Sequence, residues 1–232
     1  MRLKPFFGYY GSKWRIINRY PEPQHDLIVE PFAGSANYAL RYPSKTVVLY
    51  ELDEHVYDVW KYLIHADEDE IIRLPDLEVG QTTDDLVGMI PSGAIKLIGF
   101  WLGCGLSSPN KRVTARMKNP QYQSKCQWWG QGVRERIASQ LRYIRHWQVY
   151  LESYEQAPDW LHATWFVDPP YMAMGKYYRK NKLDYAHLAD WCRSRIGQVI
   201  VCENEGASWL PFESLTTTKG TVRNSKEVVY VK

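Results

Sequence analysis

An α/β fold with a mostly parallel sheet is what this 232-residue sequence predicts. Short β-rich runs alternate with longer segments whose apolar residues recur at helical spacing, as in strands joined by crossover helices. Near the end two β-rich runs stand side by side and read as a hairpin, which adds an antiparallel element. The composition, 45% hydrophobic and 24% charged, is that of a globular chain rather than a disordered one.

The elements follow in order. A buried strand over 26–30 breaks at Pro31 and Gly34, and the spacing then predicts a helix over 35–41. A second strand over 46–50 ends in the acids Glu51 and Asp53. Val56, Val59, Trp60 and Leu63 mark a helix over 54–65. Further strands are expected over 148–152, 164–167 and 198–202, with a helix over 183–195 that turns Leu188, Trp191 and Cys192 to one side. The hairpin covers 216–223 and 227–231.

Residues 67–143 leave this alternation. They open acidic at Asp67–Glu70, a helix start, and turn basic at Lys111, Arg112, Arg116, Lys118, Lys125, Arg134 and Arg136. A helix over 132–147 puts Ile137, Leu141 and Ile144 on an apolar face, with Arg134, Arg136, Arg142 and Arg145 on its solvated side. The expected division is therefore a core of 1–66 and 144–232 carrying a helical and loop-rich insert over 67–143, its basic loop over 107–132.

Lys and Arg number 29 against 26 Asp and Glu, a balance of +3 that permits a polyanionic partner. With 10 Trp and 17 Tyr, flat faces for stacking bases are plentiful. The four cysteines form no C-x-x-C pair, which argues against a disulfide framework or a cysteine zinc site. The six histidines include no H-E-x-x-H, so no metal is expected. The apolar stretch 89–106 is broken by Pro91, Ser92 and Lys96, short of the roughly 20 residues of a membrane span. The first residues lack the apolar run of a signal peptide. A cytoplasmic protein without a membrane partner is expected.

Four segments carry chemistry. Asp168-Pro169-Pro170-Tyr171 follows an apolar strand, where open α/β sheets bind ligands. Its prolines lack N–H donors, so the turn offers acceptors only, beside an aromatic face. Such a turn suits an exocyclic amino group on a flat base, with Asp168 and the Pro169 carbonyl as acceptors and Tyr171 stacking on the ring. Glu30-Pro31-Phe32-Ala33-Gly34 lies between a strand and the predicted helix, and Gly34 allows close backbone approach. Asp53 stands about twenty residues beyond, the offset of an acid on ribose hydroxyls. Tyr9-Tyr10-Gly11-Ser12-Lys13 puts a cation after a flexible pair, a partner for a ligand carboxylate.

Taken together these segments, with 223–228 near the end, resemble the Dam-like (alpha-group) adenine-specific DNA methyltransferases, whose own pieces are aromatic-x-G-G-K, P-F-x-G, a strand-end acid and D-P-P-Y. The family's second turn glycine is replaced here by Ala36 or Asn37, and the insert lacks a clear copy of the hairpin used by GATC-specific members. The resemblance implies a Rossmann-like S-adenosylmethionine-dependent sheet, with the insert reading double-stranded DNA. It also implies transfer of a methyl group to adenine N6, the base being flipped into the D-P-P-Y pocket. By that resemblance Asp168, Pro169, Pro170 and Tyr171 are the catalytic residues. Tyr9, Gly11, Lys13, Glu30, Phe32, Gly34, Asp53 and Asp168 line the cofactor site. In the insert, Arg112, Arg116, Lys118, Tyr122, Lys125 and Trp128 are the DNA-contact candidates. A solitary bacterial or bacteriophage enzyme, monomeric or weakly dimeric, is the expected setting. RNA adenine methylation, cytosine N4 methylation and a non-catalytic DNA-binding relative stand as alternatives.

Overall fold

The structure, a computed structural model, describes residues 2–103, 105–123, 127–172, 179, 182–219 and 224–232. Its centre is a seven-stranded sheet in the order β3-β2-β1-β4-β5-β7-β6. The strands are β1 (Leu27–Glu30), β2 (Thr46–Tyr50), β3 (Gln148–Tyr150), β4 (His162–Val167), β5 (Ile196–Asn204), β6 (Glu213–Lys219) and β7 (Asn224–Val231). β1 through β5 pair in parallel, whereas β7 runs antiparallel to both β5 and β6. The fold is α/β with a mostly parallel mixed sheet.

Alternation along the strands divides the core. Ile28, Val47, Leu49, Phe166, Ile200 and Cys202 face one side, with residues of α1 (Glu54–His65), α3 (Ser92–Trp101) and α6 (Gln131–Leu141). Val29, Val48, Tyr50, Trp165, Val167, Val199 and Val201 face the other, under Leu188, Ala189 and Trp191 of α7 (Tyr185–Ser194). A parallel sheet buried on both faces accounts for the nearly unbroken apolar strands.

The segment 67–143 is less separate than its composition suggests. α2 (Glu68–Arg73) gives Ile71 to the main core, and α6 gives Val133, Ile137 and Leu141. α3 is two-sided: Leu97 and Phe100 join the main core, while Ile98 and Leu102 nucleate a satellite with Leu77, Leu86, Val113 and Met117. The short α4 (Ala115–Lys118) gives Met117 to that satellite, and α5 (Pro120–Gln123) packs against α4. The backbone of 80–83 hydrogen-bonds antiparallel to 111–113, from Thr83 N to Lys111 O at 2.8 Å and Val113 N to Gln81 O at 3.2 Å.

Two expectations change. The helix over 35–41 is only a 3-10 turn at Ala39–Arg41, because Ala36 adopts a left-handed φ of 47° that no α-helix accommodates. The helix expected over 132–147 ends at Leu141, and its arginines are not simply solvated. Arg136 lies over the Trp101 ring at 5.0 Å and donates to Pro5 O at 2.8 Å, and burial lowers its pKa. Arg145 donates to Ile64 O at 2.9 Å. Among the described residues no helix is long and apolar enough to cross a membrane.

Candidate functional site

The chain reverses its winding direction between β1 and β4, and a crevice opens beyond their carboxyl ends, as expected at such a switch point. It holds a cavity of about 650 Å³, within the range that accepts a cofactor-sized molecule. Tyr9, Gly11, Lys13, Glu30, Phe32, Gly34, Asp53 and Asp168 all line it. Segments far apart in sequence thus converge because each sits at a strand end or on the N-terminal loop packed over them.

The turn after β1 is held from below by two carboxylates. Glu30 is 2% exposed and accepts the Ala39 N–H at 2.7 Å, and burial pushes its carboxyl well above the usual range. Glu51 accepts the Gly34 N–H at 3.0 Å and those of Leu52 and Asp53 at 2.9 Å each. Burial outweighs these three donors and pushes Glu51 up to about 7. Gly34 has φ 47°, and a Cβ there would stand 3.1 Å from the Tyr9 ring. Its carbonyl accepts Trp60 Nε1 at 2.8 Å.

Asp53 caps α1 by accepting the His55 N–H at 2.9 Å through Oδ1. Arg179 Nη1 reaches the same oxygen at 2.8 Å. Oδ2 is buried and has no partner among the described residues. A carboxylate with one oxygen unspent at a cavity wall is suited to accept hydroxyls from a ligand. The far wall comes from residues not singled out by sequence. Ser153, Tyr154 and Glu155 follow β3, and Lys182, Asp184 and His187 surround the start of α7. Phe32 stacks on Tyr154 at 5.4 Å and 30°, and the Tyr154 hydroxyl meets His187 Nδ1 at 2.8 Å. The acids, serine and tyrosine just after β3 are the signal that could have pointed there.

At the other end Lys13 Nζ sits 3.0 Å from Asp168 Oδ1 and 3.0 Å from Gly11 O, so its charge serves a neighbouring carboxylate. Burial pushes Asp168 upward, Lys13 pulls it down and Glu227 pushes it up. Pro169 and Pro170 are buried, and the Pro170 carbonyl accepts the Tyr185 hydroxyl at 2.7 Å. Tyr171 departs from the stacking face expected of it. It is 8% exposed, Lys13 Nζ lies 4.4 Å over its ring, and its hydroxyl donates to Glu227. Glu227 stands beside Lys226 at the polar start of β7, and nothing in the sequence marks it as buried.

The insert residues divide. Arg112 and Arg116 are exposed, and Arg116 lies 4.5 Å over the Tyr122 ring. Lys118 pairs with Glu78 at 3.5 Å. Trp128, expected to meet DNA, packs against the satellite cluster beside Leu102, Val113 and Met117, with a buried Nε1. Its ring fills a core that the surrounding cations concealed. Lys125 lies outside the described residues, as does Arg223 near the end. No cluster of His, Cys, Asp and Glu that could hold a metal occurs among the described residues.

No family model matches the chain, and neither does any curated protein. Among solved structures it is similar to a conserved hypothetical protein of Streptococcus pyogenes, at 12% identity and a TM-score of 0.36 over 88% of this chain and 84% of that one.

Proposed function

We propose that the chain is an S-adenosylmethionine-dependent methyltransferase acting on adenine N6 in double-stranded DNA, built on a Rossmann-like sheet. One observation carries the reading: the Asp168 carboxylate and the Gly34 turn face a single cavity at the switch point of the sheet. The antiparallel strand near the end of the chain and the resemblance in the four motifs support it. The residues present fit the cofactor. Asp53 has a buried oxygen without a partner among the described residues for ribose hydroxyls, the stacked Phe32–Tyr154 pair offers an aromatic wall for a purine, and Gly34 leaves space that a Cβ would narrow against Tyr9.

When bound, S-adenosylmethionine supplies an electrophilic methyl group. Adenine N6 is a weak nucleophile because its lone pair is delocalised into the ring. Asp168 and the Pro169 carbonyl accept its two hydrogens, favour a pyramidal nitrogen and aim the lone pair into the cavity. Burial raises the Asp168 carboxyl, and Lys13 pulls against that rise in favour of the ionised form. Positioning and fixed electrostatics supply the acceleration, and no covalent enzyme intermediate is required. The base leaves the duplex stack to reach the turn.

The test is tritiated methyl transfer to DNA and to RNA by wild type and Asp168→Ala, with sequencing of the modified bases. Asp168 is at a strand edge, so the variant folds, and removing one preorganised polar group lowers the rate at least ~10²-fold. A folded Asp168→Ala protein with near-normal turnover would remove the mechanism, and a wild type that modifies only RNA would replace the substrate.

A further inference from the structure

Behind Asp168 a set of buried polar groups meets that the mechanism above leaves unused. Glu227 of β7 is 4% exposed. Its Oε1 accepts the Tyr20 hydroxyl at 2.9 Å and the Tyr171 hydroxyl as well. Lys13 Nζ lies 3.7 Å from that oxygen and 3.0 Å from Asp168 Oδ1. The Tyr171 hydroxyl also neighbours Asp168 and favours its ionised form, and Cys202 stands beside Tyr20. Two carboxylates therefore share one ammonium ion. Burying a second acid at such a point is costly, and the two hydroxyls and the shared ammonium ion offset that cost.

We propose that Tyr171 and Glu227 take up the proton that adenine N6 loses on methylation, with the Tyr171 hydroxyl bridging Asp168 to Glu227. The proposal rests on the adenine reading above. As the N6 lone pair bonds the methyl carbon, the carbon–sulfur bond breaks with its electron pair on sulfur, and nitrogen becomes cationic. One N6–H bond then breaks, leaving its electron pair on nitrogen, and the proton bonds to an Asp168 carboxylate oxygen. Asp168 passes that proton to Tyr171 Oη as the proton already on Tyr171 moves to Glu227 Oε1. Asp168 ends ionised, Tyr171 unchanged and Glu227 a neutral acid. Lys13 cannot replace Glu227, since an ammonium group has no acceptor site.

The other groups facing Glu227 do not compete. Burial pushes Tyr20 and Cys202 well above their ordinary values, so both stay neutral. Burial likewise lifts Asp168 against the pull of Lys13, which lets it hold a proton in passing. The arrangement also gives a reason for the position of Tyr171: the hydroxyl, and not an open ring face, is what it offers the site.

Tyr171→Phe and Glu227→Gln in the full chain, which keep shape and remove only the relay, provide the test. Calorimetry with S-adenosylhomocysteine should show affinities within about threefold of wild type. Single-turnover methyl transfer to adenine at neutral pH should fall by about 10²-fold, the scale of one lost proton-transfer group. The loss should shrink as pH rises and solvent base takes over. In the ligand-free protein, the carboxylic C=O infrared band assigned by its loss in Asp168→Asn should titrate at higher pH in Tyr171→Phe, because the bridging hydroxyl no longer favours the ionised form. Wild-type rates in both variants, a loss independent of pH, or an unmoved infrared midpoint would each overturn the relay. A wild type that methylates no adenine would remove the functional reading itself, whereas an active wild type with indifferent variants removes only the relay.

Discussion

Replacing Gly34 by alanine probes the turn after β1 without touching any polar group. The backbone there has φ 47°, where an L-residue costs ~1–2 kcal/mol. Alanine restricts the unfolded chain and returns ~0.4–1 kcal/mol of that. The new methyl group would meet Tyr9 Cδ1 at 3.1 Å and Cε1 at 3.4 Å. Tyr9 is 8% exposed and set edge-on against Phe100 at 5.9 Å, so its ring has little room to retreat. Crowding of this kind adds roughly 1 kcal/mol or more. The net loss is then about 1–3 kcal/mol, a fall of roughly 1 M in the urea midpoint at a typical slope of ~2 kcal/mol/M. Ala36→Gly is the matched control. Ala36 has the same φ of 47°, and glycine relieves that strain while losing one buried methyl group worth ~0.8 kcal/mol. Its stability should stay within about 1 kcal/mol of wild type, on either side. Equilibrium urea unfolding reads both, and calorimetry with S-adenosylhomocysteine reads the displaced Tyr9. If Gly34→Ala is as stable as wild type, the turn is not strained and Tyr9 does not confine it.

Asp53→Ala should weaken S-adenosylmethionine binding before any DNA is added, because the variant loses a buried oxygen that has no partner among the described residues; calorimetry showing unchanged affinity would move the ribose elsewhere. Glu51 is raised from 4.5 to about 7, so its contribution to stability is complete below pH 4.5 and lost as pH rises through about 7. Thermal unfolding should show a decline across that window of a few kcal/mol, on the order of ~3, that is absent in Glu51→Gln. Replacing Arg112, Arg116 and Lys118 together by alanine should weaken DNA binding and make its salt dependence shallower, by about one unit of slope for each phosphate no longer neutralised, with cofactor affinity intact. Equal DNA affinity at low salt in a filter or anisotropy assay would take this stretch out of the interface.

Periodicity made the strands and α1 legible because apolar alternation and helical spacing report burial directly. The helix α1 begins and ends where Val56, Val59, Trp60 and Leu63 place it. The 35–41 segment misled because its composition suits a helix, and nothing local reveals that Ala36 must take a left-handed turn. The packing of Trp128 and Arg136 was hidden for a related reason: a tryptophan among cations and an arginine on a helix face do not show in sequence that they lie against a satellite cluster or over the Trp101 ring. The motif residues around the cavity were found because most of them follow a strand end, and Lys13 because it follows a flexible Gly-Ser pair. Arg179 on Asp53 and Glu227 on Tyr171 were missed because each pair joins positions far apart, and only the fold brings them together.

The β1·β4 pair at the middle of the sheet carries a consequence for how the molecule comes to exist. Its registered partners, Ile28 with Thr164 and Val29 with Trp165, join strands separated by residues 31–161. Closing a loop of that length must precede any gain from the pairing, which makes such pairings slow to form. The local helices and the β1–β2 unit can assemble early, yet the crevice lies on the seam that closes late. On refolding, helical signal should therefore return well ahead of ligand binding. In a growing chain the crevice has no opposite wall until β4 has left the ribosome, so the binding surface is an outcome of the slowest docking event.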